Sequence, residues 1–505
     1  MYLRAKSGLS SLEAFSTWLC VRNGLSACAR PRNIKKYVPR RSFSLRSFRG
    51  PDAVEYPRLT PQLVTTILRH QDNSVDEKYG AVKGFETNQL PSNNPIEDRR
   101  AEAKLVHNIK ESSHLERFLF GVFDGHAGCA CAQAVSERLF NYIGVSLSTP
   151  DILQKIRDGQ LDLQNNLVSF YRRDGFDYVN SELKDKFQKS LGNFASETLA
   201  VYNEDDTVAE NIINAFVRLD EDISMEALPH SQLDFESLQC AFSGAVACVV
   251  FLDGIDLYVA NVGDSKAVLG VNSQEDQWEA VEMSHDHNAE NDTEVQRLYK
   301  NHPNESANII KNGRLFGDLA PLRAFGDVRY KWPAKDLKHI VNTVRHPHSF
   351  ISMYGNRLIP RNYQTPPYLS AEPEIIHRKL TPKDKFLIIA SDGLWDNLTP
   401  EKVVKLVAGH LDGQQVLVNF QLPREDVTLK EVNELLIRRK TSLAQKIVDT
   451  NVATHLIRNA VGPEHGQLSA QLTLPDSIVR FYRDDITVTV VYFDTDYIIE
   501  KLKLQ

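Results

Sequence analysis

The sequence predicts an α+β fold with one catalytic domain carrying insertions, and three observations carry that prediction. Apolar strand-like runs, such as 118–123 and 386–390, are mixed with amphipathic helical stretches such as 209–227, without regular βαβ alternation. Motifs that carry chemistry are scattered from Glu97 to Asp485, which fits one domain better than several. No internal repeat divides the 505 residues into like units.

The N-terminus differs from the rest. Residues 1–50 hold eleven Lys and Arg and a single acid, Glu13, whereas the whole chain has net charge −7. Leu9, Leu12, Phe15 and Leu19 recur there at helical spacing, with no continuous apolar run of the secretory kind. Residues 1–48 therefore read as a mitochondrial transit peptide, and 49–505 as the catalytic domain. The acidic body disfavours nucleic acid as a partner. A mean hydropathy of −0.34, with no run of about 18 apolar residues, leaves no integral membrane segment.

Within the body, Thr60-Pro61 reads as N-cap and first helical position, with Leu63, Val64, Ile67 and Leu68 on one face. Residues 88–95 read as a polar loop, 118–123 as the first strong strand, and 129–145 as an amphipathic helix. Ile212, Ile213, Phe216, Leu219 and Ile223 mark the helix 209–227. A hairpin, 246–252 and 255–262, turns at Asp253-Gly254. A short helix at 293–299, a buried strand at 386–390 and a helix opening at Pro400 follow. The last two elements are a helix over 443–461 and a strand over 486–493. Stretches near 146–205, 301–365 and 412–440 read as insertions.

Four aspartates, Asp124, Asp264, Asp392 and Asp484, each sit at the edge of an apolar strand-like run. Carboxylates held at strand ends and facing one cleft must repel or share a cation, and hard oxygen ligands suit Mg²⁺ or Mn²⁺. Glu97-Asp98 and Asp396 add to the set, and His126 supplies a proton donor beside Asp124-Gly125. Asp253-Gly254 shows that an Asp-Gly pair is by itself an ordinary turn. His285-Asp286-His287 reads as structural. Cys129, Cys131, Cys240 and Cys248 read as buried thiols, with no CxxC pair. No P-loop, GxGxxG, HExxH or Gly-x-Ser-x-Gly is present, which counts against kinase, dehydrogenase, zincin and serine-hydrolase chemistry.

The strings Glu97-Asp98-Arg99, Val122-Phe123-Asp124-Gly125-His126-Ala127-Gly128, Ala260-Asn261-Val262-Gly263-Asp264-Ser265, Arg323-Ala324-Phe325-Gly326-Asp327, Ala371-Glu372-Pro373-Glu374, Ser391-Asp392-Gly393-Leu394-Trp395-Asp396 and Asp484-Asp485-Ile486-Thr487-Val488 occur in one order. In that order the chain resembles the metal-dependent Ser/Thr protein phosphatases, the PPM or type 2C family. Further strings, including Asn88-Gln89-Leu90-Pro91 and Ala453-Thr454-His455-Leu456-Ile457-Arg458, are similar to the branch that acts on mitochondrial pyruvate dehydrogenase.

The resemblance implies a central β-sandwich of two antiparallel sheets flanked by helices (αββα). It implies that Asp124 bridges two Mg²⁺ or Mn²⁺ ions. Asp392 and Asp484 would complete one shell, while Glu97 and the Gly125 carbonyl serve the other. Asp98 would act as an acceptor for metal-bound water, and Asp264 and Asp396, with Asp392 shared, would hold a third, weaker ion. The implied reaction is direct attack of a metal-bridging hydroxide on phosphoserine. The implied partners are phosphorylated pyruvate dehydrogenase E1α, an E2 lipoyl domain docked with the help of Ca²⁺, and a regulatory subunit, all in the mitochondrial matrix. A matrix phosphatase for another target, such as branched-chain dehydrogenase, and a silent phosphatase-like scaffold are the alternatives. One departure stands out. Many members place an Arg four residues before the Glu that matches Glu97, and here that position is Asn93. Phosphate recognition must then rest on metal-bound waters or on another cation.

Overall fold

The computed structural model describes residues 58–106, 117–160, 167–171, 181–228, 234–274, 277–343, 357–417, 427–444 and 448–504. The expected transit peptide lies outside these residues, as do parts of the three expected insertions.

Two antiparallel sheets form the body. One has the order Asn73–Val75, Val82–Leu90, Ile486–Phe493, Asp384–Ala390, Lys266–Gln274, Gln277–Glu282. The other runs Glu374–Lys379, Asp256–Val262, Gly244–Asp253, Arg117–His126, Arg99–Leu105, Val168–Phe170. The last strand of the chain, Ile486–Phe493, thus lies inside its sheet, between a strand from near the start and one from much later.

Alternation along each central strand builds four layers. Phe118, Phe120 and Val122 point into the sandwich with Cys248, Val250 and Leu252, where they meet Leu269, Leu387, Ile389 and Val491 of the opposite sheet. Leu119 and Phe123 face the other way and pack on Val135, Leu139 and Ile143 of the helix Ala130–Ser146 and on Phe216 and Leu219 of Val208–Ala227. On the far side Phe386, Ile388, Val488 and Val490 pack on Val403, Val407, Leu456 and Ile457. Each fully buried side chain of this size contributes about 1.5–3 kcal/mol. Burial on both faces is why these strands are continuous apolar runs.

The expected α+β sandwich is therefore present, and most expected elements lie within a residue or two of their place. Thr60 caps Pro61–Leu68, its hydroxyl accepting from Leu63 N at 3.2 Å. Thr207 and Glu210 form a reciprocal capping box at the start of Val208–Ala227. Two expectations fail. Residues 88–90 are strand, not loop: the Asn88 side chain is buried because its amide donates to Leu68 O and Thr454 Oγ1 (2.7 and 2.8 Å). The stretch 443–461 is not one helix. Leu429–Ala444 and Val452–Val461 are separate, since Asn451 Oδ1 takes the Thr454 N–H at 2.9 Å and opens a new helix. The expected insertion 146–205 joins the core in its described parts: Leu191, Phe194 and Ala195 of Ser181–Ala200 pack into the helical layer.

Register places the ends that matter together. His126 pairs with Gly244, and Phe123 with Arg99, at one end of the second sheet. Ala390 pairs with Lys266 and with Val488, and Ile486 with Leu90, at one end of the first. Two short crossings between the sheets lie there, 91–98 and 263–265, so the two ends face the same way.

Candidate active site

The carboxylates expected from the sequence gather at this common end. Asp124 closes its strand, Asp264 lies on one crossing, Glu97 and Asp98 on the other, Asp392 follows Asp384–Ala390, and Asp484 precedes Ile486–Phe493. Gly125 lets the Glu97 backbone lie against the strand, since a methyl group there would run into the Glu97 carbonyl. Gly393 likewise admits the Asp485 carbonyl.

Brought together there, the carboxylates act on one another's charge. Burial, then Asp98, Asp392, Asp264 and Asp484 in turn, holds the Asp124 carboxyl well above the usual range. Burial, then Asp264, Asp484, Asp396 and Asp98, does the same to Asp392. Asp264 is pushed up to about 6, chiefly by burial, with Asp286 and Asp396 adding to it. Glu97, Asp396 and Asp484 are raised as well, again mainly by burial. Among the described residues, the side chains of Asp124, Asp392 and Asp396 accept no hydrogen bond and make no ion pair.

Unpartnered, mutually repelling hard oxygen donors fit divalent cations. The fit lies in donor chemistry and charge: among the described residues no three His, Cys, Asp or Glu side chains close into a ready chelate for one ion.

Around this set lies a frame of side chains to which the sequence reading gave no role. Asp485, 2% exposed, accepts from Ser92 N, from Asn93 N at 2.9 Å, from Asn93 Nδ2 at 3.0 Å and from Glu97 N at 2.8 Å. It fixes the 92–97 crossing, and Glu97 with it. Glu97 Oε1 in turn accepts from Gly128 N at 2.7 Å. Asp98 Oδ2 accepts from Ser391 Oγ (2.8 Å) and Thr487 Oγ1 (2.7 Å). Burial, then Asp485, raises Asp98 to about 8 against those two hydrogen bonds.

His126 Nε2 pairs with Asp327 Oδ2 at 2.6 Å. Burial opposes the charged ring, yet Asp327, through charge and hydrogen bond, raises the pKa of His126 above its ordinary value. Ala127 beside His126 (φ 57°) and Asp327 itself (φ 49°) are both left-handed without being glycine, the kind of backbone strain that concentrates at functional sites. Asp327 and Asp485 both lie within strings quoted above. The signal was present, but it named no partner for either residue.

The remaining candidates are structural. Asn261 Nδ2 donates to Gly263 O and His285 O, and Gly263 N donates to His287 Nδ1 at 3.1 Å. His285 and His287 both face Glu374, so the His-x-His stretch holds the turn that carries Asp264. Cys129, Cys131, Cys240 and Cys248 are buried free thiols. Arg99 and Arg100 are buried too: Arg99 donates to Gln133 Oε1 and the Ile96 and Asp98 carbonyls, and Arg100 to both Glu102 oxygens. Neither is placed to hold a phosphate.

Comparison with known proteins adds an independent finding. The family model described as "Protein phosphatase 2C" matches residues 176–450. That span includes Asp264, Asp392 and Asp396 but not Glu97, Asp124 or Asp484. The chain is 42% identical over 457 residues to the mitochondrial pyruvate dehydrogenase (acetyl-transferring) phosphatase 1 of Bos taurus, covering 86% of this chain and 83% of that one. It is 40% identical over 462 residues to phosphatase 2 of the same name from Homo sapiens, covering 87% and 84%. A phosphatase 1 from Saccharomyces cerevisiae is 32% identical over 449 residues, covering 84% and 71%.

Proposed function

The chain belongs to the protein phosphatase 2C family, and from that premise we propose that it removes phosphate from serines of the pyruvate dehydrogenase E1α subunit and so reactivates that enzyme. It is a phosphoprotein hydrolase of a family that depends on Mg²⁺ or Mn²⁺. The observation that carries the reading is the set of unpartnered carboxylates at the shared end of both sheets, in a chain this similar to such phosphatases.

We assign Asp124, Asp392, Asp484, Glu97 and the Gly125 carbonyl to two such ions, and Asp264 with Asp396 to a third, weaker one. When bound, the cations supply Lewis-acid polarisation of water and of phosphoryl oxygen. The chain's own groups provide the rest. Asp98, with Oδ2 fixed by Ser391 and Thr487, keeps Oδ1 to accept a proton from the attacking water when bound cations hold it ionised against the repulsion that raises its pKa in their absence. His126 keeps its Nε2–H on Asp327 and offers a proton from Nδ1 to the departing seryl oxygen.

This role has a pH signature. Asp327 raises the His126 pKa, so the protonated donor persists to higher pH than an ordinary imidazolium. In Asp327→Asn the largest raising influence is lost, only the charges of Glu97 and Asp264 are left to oppose burial, and the His126 pKa falls. The alkaline limb of the kcat profile then moves to lower pH, with about a ten-fold loss at pH 7.5. A pH–rate profile checks this, and an unmoved limb removes His126 as the acid.

The basic residues 1–48 support the proposal of a transit peptide, and the relatives' names support mitochondria; we extend this to the matrix. Docking on an E2 lipoyl domain with the help of Ca²⁺, and a regulatory subunit, complete the proposal on the strength of the resemblance.

The test is phosphate release from intact phosphorylated pyruvate dehydrogenase complex, with Mg²⁺, with and without Ca²⁺, against phosphorylated branched-chain dehydrogenase and an unrelated phosphoprotein. A preference of at least about ten-fold in kcat/KM for the pyruvate complex is expected. Equal rates on all three substrates would remove the assigned target.

A further inference from the structure

The 475–483 turn sits on the rim of the carboxylate end. Asn94 Nδ2 donates to Asp476 Oδ2 at 2.9 Å, Arg483 Nη1 donates to Ser92 Oγ at 2.6 Å, and Ser92 Oγ donates to Asp484 O at 2.6 Å. The turn closes on itself through Phe481 N to Ile478 O and Tyr482 N to Val479 O (3.1 and 2.9 Å). It is therefore a fixed piece of the wall, tied to the crossing that carries Glu97.

At its crest Arg480 is exposed, and among the described residues its guanidinium makes no hydrogen bond or ion pair. It lies close enough for its charge to act on both Glu97 and Asp484. The neighbouring guanidinium, Arg483, is turned inward onto Ser92, and Asn93 is turned onto Asp485. Beside Arg480 stand Phe481 and Tyr482, 66% and 48% exposed, two adjacent aromatic side chains on the same rim. A turn that offers solvent a fork of N–H donors beside the exposed Phe481 and the partly exposed Tyr482, next to a site that hydrolyses phosphate esters, matches a phosphorylated peptide segment in both charge and apolar character.

We propose that Arg480 binds the phosphoryl group of the substrate and that Phe481 and Tyr482 hold the residues flanking the phosphoserine. The inference rests on the phosphatase reading above and names the chain's own phosphate-recognition element. The guanidinium donates to two phosphoryl oxygens, while the aromatic pair sorts phosphoproteins from small phosphate esters.

The experiment compares the full chain with its Arg480→Ala, Arg480→Lys and Phe481→Ala variants, all in Mg²⁺. The substrates are p-nitrophenyl phosphate and a phosphoserine peptide, and inorganic phosphate binding is measured directly by calorimetry. Loss of a bidentate charged contact predicts that Arg480→Ala binds inorganic phosphate about ten-fold more weakly and raises KM about ten-fold for both substrates, with kcat within about two-fold. Arg480→Lys should fall between. Phe481→Ala should raise KM about five-fold for the peptide alone. The proposal is overturned if Arg480→Ala binds inorganic phosphate as wild type does. It is overturned equally if that variant changes only the Mg²⁺ concentration needed for half-activity, since Arg480 would then merely balance Glu97 and Asp484. A wild-type chain that releases no phosphate from either substrate overturns the phosphatase reading as well.

Discussion

Asp124→Asn lowers kcat by at least about 10³-fold while making the metal-free protein slightly more stable. The two effects share one cause. Asp124 stands among Asp98, Asp392, Asp264 and Asp484, each of which disfavours its charge. An amide keeps the shape and removes one of the repelling charges, so the melting temperature in chelator rises by about 1–3 °C. Mg²⁺ stabilises the wild-type chain because ligand binding favours the folded state, and this added stability shrinks in the variant. Phosphate release together with thermal melts, with and without Mg²⁺, checks both. A variant that keeps its activity, or that still gains the full Mg²⁺-dependent rise, removes Asp124 from the cation site.

Asp485→Ala has the opposite profile on stability. Its carboxylate serves the backbone N–H groups of Ser92, Asn93 and Glu97 and the Asn93 amide. Each buried donor left without an acceptor costs about 1–3 kcal/mol, so a loss of about 3–5 kcal/mol is expected in urea unfolding. The 91–98 crossing then loosens, and Glu97 leaves its place against Gly128 N. The expected fall in kcat is about 10²-fold, accompanied by a higher Mg²⁺ requirement. Asp485→Asn keeps one acceptor oxygen and should lie between. Wild-type kcat in Asp485→Ala would mean that something else positions Glu97.

The contrast between these residues shows what a single sequence reveals. Strands buried on both faces, such as Arg117–His126 and Asp384–Ala390, declare themselves as apolar runs because every position is packed. Arg99–Leu105, with Arg, Glu and Lys, and Gln277–Glu282, at a sheet edge, carry no such run and were not read as strands. Asn88 was misread for the same reason: its burial depends on acceptors contributed by Leu68 and, far along the chain, Thr454. The acidic strand-end positions were legible because charge beside an apolar run is a local pattern. Asp327 and Asp485 were visible as letters, but their work on His126 and the 92–97 crossing is a relation between segments hundreds of residues apart.

The place of Ile486–Phe493 sets an order of events for the growing chain. This strand lies between Val82–Leu90 and Asp384–Ala390, so the first sheet has a gap through its middle until residues 486–493 arrive. Asp484 and Asp485 come with it. Pairing of such sequence-distant strands is slow, because long loops must close first. A chain delivered N-terminus first therefore gains its hydrolytic competence only once residues 484–493 have been made. C-terminal truncation before residue 484 should yield no partially active fragments, only silent ones.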